Sequence, residues 1–173
     1  MADVNVVLVD KDDNEIGVEE KLRAHQNGGK LHRAISIFVF NSKGETMVQR
    51  RALSKYHSQG RWANTACSHP YPNESVLDAA HRRLKEEMGF DCEMREAFTF
   101  PYKAEVGNGL TEQEFDHVLF GSYEGEPKPD SNEVMDWKWI SLDELMADIR
   151  ASPDNYAEWL KLMISKVIEE RSR

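Results

Sequence analysis

Between residues 73 and 89 the apolar pattern of this chain changes period. Val76, Ala80, Leu84 and Met88 recur every four residues, which puts them on one face of a helix. Asn73 or Ser75 can cap its start, and Gly89 suits its C-terminal stop. The segments on either side are patterned for strands. Residues 4–9 (VNVVLV) and 15–18 read as strands joined by the turn residues Lys11-Asp12-Asp13-Asn14. Residues 34–40, β-branched and aromatic, form a hairpin with 45–50 across Asn41-Ser42-Lys43-Gly44. Strand-like runs return at about 98–104, 110–123 and 133–140. Ser141-Leu142-Asp143-Glu144 is a capping box that opens a short helix. Ser152-Pro153 opens another, with Tyr156, Leu160, Met163 and Val167 on its buried stripe. Strands, one central helix, more strands and terminal helices predict a mixed α/β layered domain.

No repeat, low-complexity tract or linker divides the 173 residues, so residues 1–173 are expected to form one domain. A net charge of −9 argues against general binding to nucleic acid or to an anionic membrane. It leaves room for a local basic patch that holds one anion. The longest apolar run, 34–40, already contains Ser36 and is far short of the roughly 18–20 residues of a membrane-spanning helix. Met1-Ala2-Asp3-Val4-Asn5 lacks the basic and apolar regions of a signal peptide. Two cysteines, Cys67 and Cys92, allow one disulfide but suit a reducing cytosol better. The expectation is a cytoplasmic protein, with a monomer favoured.

The central helix also carries charge: Glu74, then Arg82-Arg83-Leu84-Lys85-Glu86-Glu87-Met88-Gly89-Phe90. On the residues alone, Arg82–Glu86 and Arg83–Glu87 are ordinary i,i+4 surface pairs. The segment also resembles the Nudix box, a loop–helix–loop whose glutamates hold divalent metal beside a diphosphate. Two positions depart from it: Ser68 stands at the box's opening Gly, and Arg83 stands where the box has Glu. A Nudix hydrolase needs a carboxylate at the latter position. A guanidinium there makes an anion-binding surface instead. Lys21, Arg50-Arg51 and Lys55 add further cations.

A second group is scattered: His25, His32, His69, Glu112 and Glu114. Glu112 and Glu114 are two apart on a strand, so their carboxylates face the same way. His25 and His32 flank a Gly28-Gly29 turn that can bring their imidazoles together. Three imidazoles with carboxylates suit a borderline transition metal. Taken singly, each is as readily a surface or core histidine.

Five stretches resemble type I isopentenyl-diphosphate isomerases, in order and with compatible spacing from about Lys21 to Trp159. They are Leu31-His32-Arg33-Ala34, Arg50-Arg51-Ala52-Leu53-Ser54-Lys55, Gly60-Arg61-Trp62-Ala63-Asn64-Thr65-Ala66-Cys67-Ser68-His69-Pro70, Glu112-Gln113-Glu114 and the run from Asp130 to Trp139. The resemblance implies a Nudix-like α/β/α sandwich with an extra N-terminal segment and a C-terminal helix. It implies one Mn2+, Zn2+ or similar ion on His25, His32, His69, Glu112 and Glu114. A Mg2+ accompanying the diphosphate would sit on Glu87 and the Cys67 carbonyl. Lys21, Arg51, Lys55 and Arg83 would grip the diphosphate. Cys67 and Glu114 would move protons, Tyr102 would assist Glu114, and Trp159 would face the hydrocarbon.

The reaction explains these residue types. Shifting a double bond from C3–C4 to C2–C3 adds a proton at C4 and removes one at C2, through a tertiary carbocation that a π face can stabilise. Without the resemblance, Trp159 is core packing and Cys67 a small buried apolar residue, the reading retained for Cys92. His57, His81 and His117 are read as structural or surface residues. Two rivals remain: a Nudix-type hydrolase of a nucleoside or prenyl diphosphate, and a non-catalytic metal- or diphosphate-binding domain. Arg83 and the Cys67–Glu114 pair argue against the first, and the second has no use for Cys67.

Overall fold

The computed structural model describes residues 4–173, and Met1 to Asp3 of the N-terminal reading lie outside it. In chain order the elements are β1 (Asn5–Val9), β2 (Glu15–Glu20), α1 (Lys21–Ala24), β3 (His32–Phe40), β4 (Thr46–Arg51), β5 (Trp62–Ala63), β6 (Ala66–Ser68), α2 (Val76–Met88), β7 (Met94–Gly107), β8 (Leu110–Ser122), β9 (Val134–Ile140), α3 (Leu142–Ala151) and α4 (Glu158–Arg171). All the strands belong to one mixed sheet. Its hub is β3, antiparallel to β1, β4 and β6 and parallel to β8.

Alternation along β3 builds the layers. Ile35, Ile37 and Val39 pack with Ala79, Ala80, Leu84 and Met88 of α2 on one face. Phe38 and Phe40 pack with Leu160, Met163, Ile164 and Val167 of α4 and Leu145 of α3 on the other. The result is the expected α/β/α sandwich. Leu84 is fully buried, and a side chain of this size contributes about 1.5–3 kcal/mol by leaving water.

The helix predicted at 73–89 is α2, and of the two candidate caps Ser75 performs the role: its Oγ accepts from the Asp78 amide at 3.0 Å. Gly89 ends it at φ 71°, and a Cβ there would lie 2.2 Å from the Lys128 carbonyl oxygen, so the position admits only glycine. The β7–β8 hairpin turns through Asn108 and Gly109, both at positive φ (55° and 71°), as a two-residue turn of twisted strands requires. Residues 98–104 prove to be the middle of a fourteen-residue strand. Ser152-Pro153 opens not the last helix but a single 3-10 turn (Pro153–Asn155). Tyr156 lies between that turn and α4, and is buried on an irregular segment. Both cysteines are free. Among the described residues no helix is long and apolar enough to cross a membrane.

Candidate active site

The sheet register assembles the site. In the parallel ladder His32 lies opposite Glu114, and in the neighbouring antiparallel ladders Tyr102 lies opposite Glu114 and Cys67 opposite Ser36. Residues directly opposite share a face. These side chains therefore all project on the α3–α4 side, into a pocket also lined by Lys21, Arg51, Lys55, His69, Arg83, Glu112 and Trp159.

The imidazoles collect at one end. His25 and His32 have ring centroids 4.9 Å apart, as do His32 and His69. Gly29, at φ 77°, makes the turn between the first two possible, since a Cβ there would meet the Thr111 carbonyl oxygen at 2.9 Å. His25 Nδ1 and His32 Nδ1 each bond a backbone carbonyl, of Lys21 and Lys30, at 2.7 Å. That fixes Nδ1 as the donor and turns Nε2 inward as a free lone pair. Both Nε2 atoms are buried without a hydrogen-bond partner among the described residues. His69 Nε2 lies 3.1 Å from Glu114 Oε1. Burial, with the neighbouring imidazoles, pushes His69 down to about 3 against the pull of Glu114. Burial and His32 likewise lower His25. For His32, burial is outweighed by Glu114, which raises it.

Glu114 is buried too, yet His32 and His69 hold it well below the usual carboxylate range. The ligand atoms of His25, His32, His69 and Glu114 lie within 4.8 Å of one another. Inward-turned, unpartnered imidazole nitrogens beside a carboxylate fit a divalent ion of the Mn2+ or Zn2+ kind. The Tyr102 hydroxyl lies 2.6 Å from Glu112 Oε2 and 2.9 Å from Glu114 Oε2. Burial and the two carboxylates raise it well above an ordinary phenol, so it remains a proton donor. Beneath the pair, Asp116 accepts from Ser36 Oγ at 2.6 Å, and burial and Glu114 raise its carboxyl far above the ordinary value.

The cations occupy the other end. Arg83 bonds Glu87 and reaches Glu133 Oε2 at 3.2 Å, and Lys55 pairs with the same Glu133 oxygen. Lys21 is lowered by burial and then by Lys55, Arg83 and Arg51, which places four cations in one small volume. Arg50, also considered from the sequence, instead points outward to the Gly60 carbonyl. Glu87 is buried and accepts from Gln49 Nε2 at 2.9 Å. Between the two ends stand Cys67 and Trp159. Burial and the Glu87 charge raise the Cys67 thiol well above its ordinary value, so the unliganded chain holds it protonated. Trp159 is oriented by its Nε1, which donates to Asn64 Oδ1 at 2.9 Å. Ser68 has ordinary strand backbone opposite Ile35 and needs no glycine.

The sequence reading missed Gln49, Asn64, Tyr56, Glu133 and His57. His57 is no surface residue: it is buried, with Nε2 3.0 Å from Glu112 Oε1. His117 is structural, clamped between Glu96 and Asp13. His81 pairs with Asp91 at the surface.

The NUDIX domain family matches residues 30–162. The isopentenyl-diphosphate Delta-isomerase 2 of Aromatoleum aromaticum is 54% identical over 167 residues, covering 96% of this chain and 88% of that protein. The isopentenyl-diphosphate Delta-isomerase of Burkholderia multivorans is 47% identical, covering 93% and 91%. Among solved structures, DR0079 from Deinococcus radiodurans superposes with a TM-score of 0.79 at 19% identity, covering 94% of this chain and 98% of that one. The MutT protein from Methanosarcina mazei Go1 gives 0.68 at 16% identity, covering 83% and 96%. At such identities the structural likeness carries the fold alone. The sequence likeness reaches further, and by it this NUDIX-domain chain belongs to the isopentenyl-diphosphate Delta-isomerase family.

Proposed function

We propose that the chain interconverts isopentenyl and dimethylallyl diphosphate, as a single-domain, metal-dependent and flavin-independent enzyme of the cytoplasm that works as a monomer. One observation carries this reading. Cys67, Glu114, Tyr102 and Trp159 line the same pocket as Lys21, Arg51, Lys55 and Arg83, so a short apolar tail reaches the first group when a diphosphate meets the second. The cations hold the diphosphate by charge-assisted hydrogen bonds. Glu87, with the Cys67 carbonyl, would hold a Mg2+ arriving with it. His25, His32, His69, Glu112 and Glu114 would hold the second ion, Mn2+ or Zn2+, which supplies positive charge that acidifies the groups beside it.

Cys67 and Glu114 then act from opposite faces of the alkene. One delivers a proton to C4, and the C3 cation rests against the Trp159 ring. The other removes a proton from C2, so the double bond moves and no atom is gained or lost. Tyr102, bonded to Glu114, relays the proton on that side. Replacement of the Nudix carboxylate by Arg83 disfavours hydrolysis, since a guanidinium pairs with phosphate oxygens rather than recruiting metal for attack on phosphorus.

Incubation of purified chain with isopentenyl diphosphate, Mg2+ and Mn2+ in D2O tests the reading. Deuterium entering at C4 and at C2 supports it. Release of phosphate would mark a hydrolase instead, and binding without exchange a non-catalytic domain.

A further inference from the structure

His57 stands where the three parts of the pocket meet. It lies in the loop after β4 and is 2% exposed. Its Nε2 is 3.0 Å from Glu112 Oε1, and its Nδ1 is 3.1 Å from Ser58 Oγ. A carboxylate only accepts, whereas a hydroxyl can donate. A ring protonated on Nε2 is compatible with both contacts. The ring is wedged edge-on against Tyr56 (centroids 4.3 Å apart, 74°) and Trp159 (5.7 Å, 82°). The backbone carbonyl of the same residue accepts from the Arg51 guanidinium at 3.2 Å.

We propose that His57 is a positioning residue of the metal centre: its Nε2–H holds the Glu112 carboxylate toward the ion, against the Trp159 wall. The inference rests on the functional reading above, and adds a residue to it. Glu112 needs such support more than Glu114 does. The imidazoles of His32 and His69 stand beside Glu114 Oε1, whereas among the described residues the side-chain contacts of Glu112 are Tyr102 on Oε2 and His57 on Oε1. A carboxylate oxygen has a lone pair to spare for an ion after accepting one hydrogen bond, and a ligand so anchored binds at lower entropic cost.

The ligand atoms of His25, His57 and Glu112 also lie within 4.8 Å of one another, so direct coordination by His57 is the competing geometry. Two features favour anchoring. His25 has one inward nitrogen, already part of the His32–His69–Glu114 cluster. His57 Nδ1 faces the Ser58 hydroxyl rather than a backbone carbonyl of the kind that turns the Nε2 atoms of His25 and His32 inward as lone pairs, and its Nε2 already lies 3.0 Å from Glu112 Oε1.

The test uses the full chain, stripped of metal and titrated with Mn2+ by electron paramagnetic resonance, with pulsed measurements counting the imidazole nitrogens coupled to the ion. Wild type should show three. His57→Phe keeps the aromatic wedge and removes the donor. It should weaken Mn2+ binding about 10–100-fold, still with three nitrogens, and lower kcat with little change in KM. His57→Gln returns an amide N–H and should recover most of the affinity. Four coupled nitrogens in wild type would overturn the proposal in favour of a ligand. Mn2+ affinity within twofold of wild type in His57→Phe would overturn it, as would a wild-type chain that binds no Mn2+. Neither the Mn2+ affinity nor the nitrogen count depends on turnover. A chain that binds Mn2+ as described but does not isomerise would sink the function while leaving His57 in place.

Discussion

Replacing Arg83 by glutamine separates its ion pairing in the fold from its proposed grip on the diphosphate. Arg83 lies against Glu87 and Glu133, and burial, which would lower it, is outweighed by their charges, which raise it. Its loss should first weaken the diphosphate grip. A hydrogen bond to a charged group contributes about 1.5–3 kcal/mol, or roughly 10–100-fold in KM, with kcat nearly unchanged because the contact exists before and during reaction. It should also strand Glu87, which is 3% exposed. Breaking a buried ion pair costs about 3–5 kcal/mol. Gln49 still donates to the Glu87 carboxylate at 2.9 Å, which favours the lower end. At about 2–4 °C per kcal/mol for a domain of this size, Tm should fall by roughly 6–12 °C. Adding Glu87→Gln removes the stranded charge, so the double variant should regain most of the Tm and none of the KM. Steady-state kinetics and thermal unfolding of the two variants measure both effects. A KM within twofold of wild type in Arg83→Gln would reduce Arg83 to an ion-pair partner. A double variant as unstable as the single one would refute the stranded-charge argument.

Five further outcomes are expected. Cys67→Ala should keep diphosphate affinity but lose about 10²–10⁴-fold in kcat, and near-normal deuterium entry at both carbons would remove Cys67 from the mechanism. Alkylation of the raised Cys67 thiol should be slow at neutral pH, accelerate as pH rises and be blocked by substrate. Stripping metal should abolish turnover and speed amide exchange over residues 25–32, with Mn2+ or Zn2+ restoring both; full activity in chelator after verified removal would rule the site out. Lys21 is lowered by burial and adjacent cations, and in the proposed role only its ammonium would bind diphosphate. kcat/KM should therefore decline along an alkaline limb that begins below the ordinary lysine range and moves upward in Lys21→Arg; a flat profile there would count against the assignment. Glu74 accepts from Arg82 at 2.7 and 2.9 Å, and these bonds outweigh burial to lower its carboxyl. The stability it gives is present above the unfolded carboxylate value and lost as pH falls through the folded one. Glu74→Gln should therefore cost about 1–2 kcal/mol at neutral pH by urea unfolding and less in acid, and an equal loss at both would contradict the pairing.

What could be read in the sequence was whatever a local period encodes. The four-residue repeat of α2, its Gly89 stop and the two-residue alternation of β3 are properties of neighbouring residues. Strands β5 and β6 are too short to show a period and exist because β4 and β3 pair with them. The four-residue α1 depends on its cap, the Glu20 carboxylate accepting from the Leu22 and Arg23 amides. The candidate site was legible where family resemblance supplied the spacing, as for His25, His32, His69 and the Glu112–Glu114 pair. His57 had no such spacing. Its partner Glu112 sits on a distant strand, and a lone histidine in a polar loop carries no mark of that contact. Glu133 went unassigned for a related reason: a carboxylate among four cations looks like surface charge until the fold brings Lys55 and Arg83 to it.

The parallel pairing of β3 with β8 also imposes an order of events on synthesis. Lys21, Arg51, Lys55, Cys67 and Arg83 are all synthesised before Glu112 and Glu114, and Trp159 comes later still. Until residue 122 emerges, β3 lacks the strand it matches from His32 to Phe40, and its edge is open to pairing with other chains. An ion cannot guide that interval, because its two carboxylates, Glu112 and Glu114, are still to come. The nascent chain must therefore protect its central strand by speed or by chaperones, and a pause in translation between residues 40 and 122 is where aggregation should be worst.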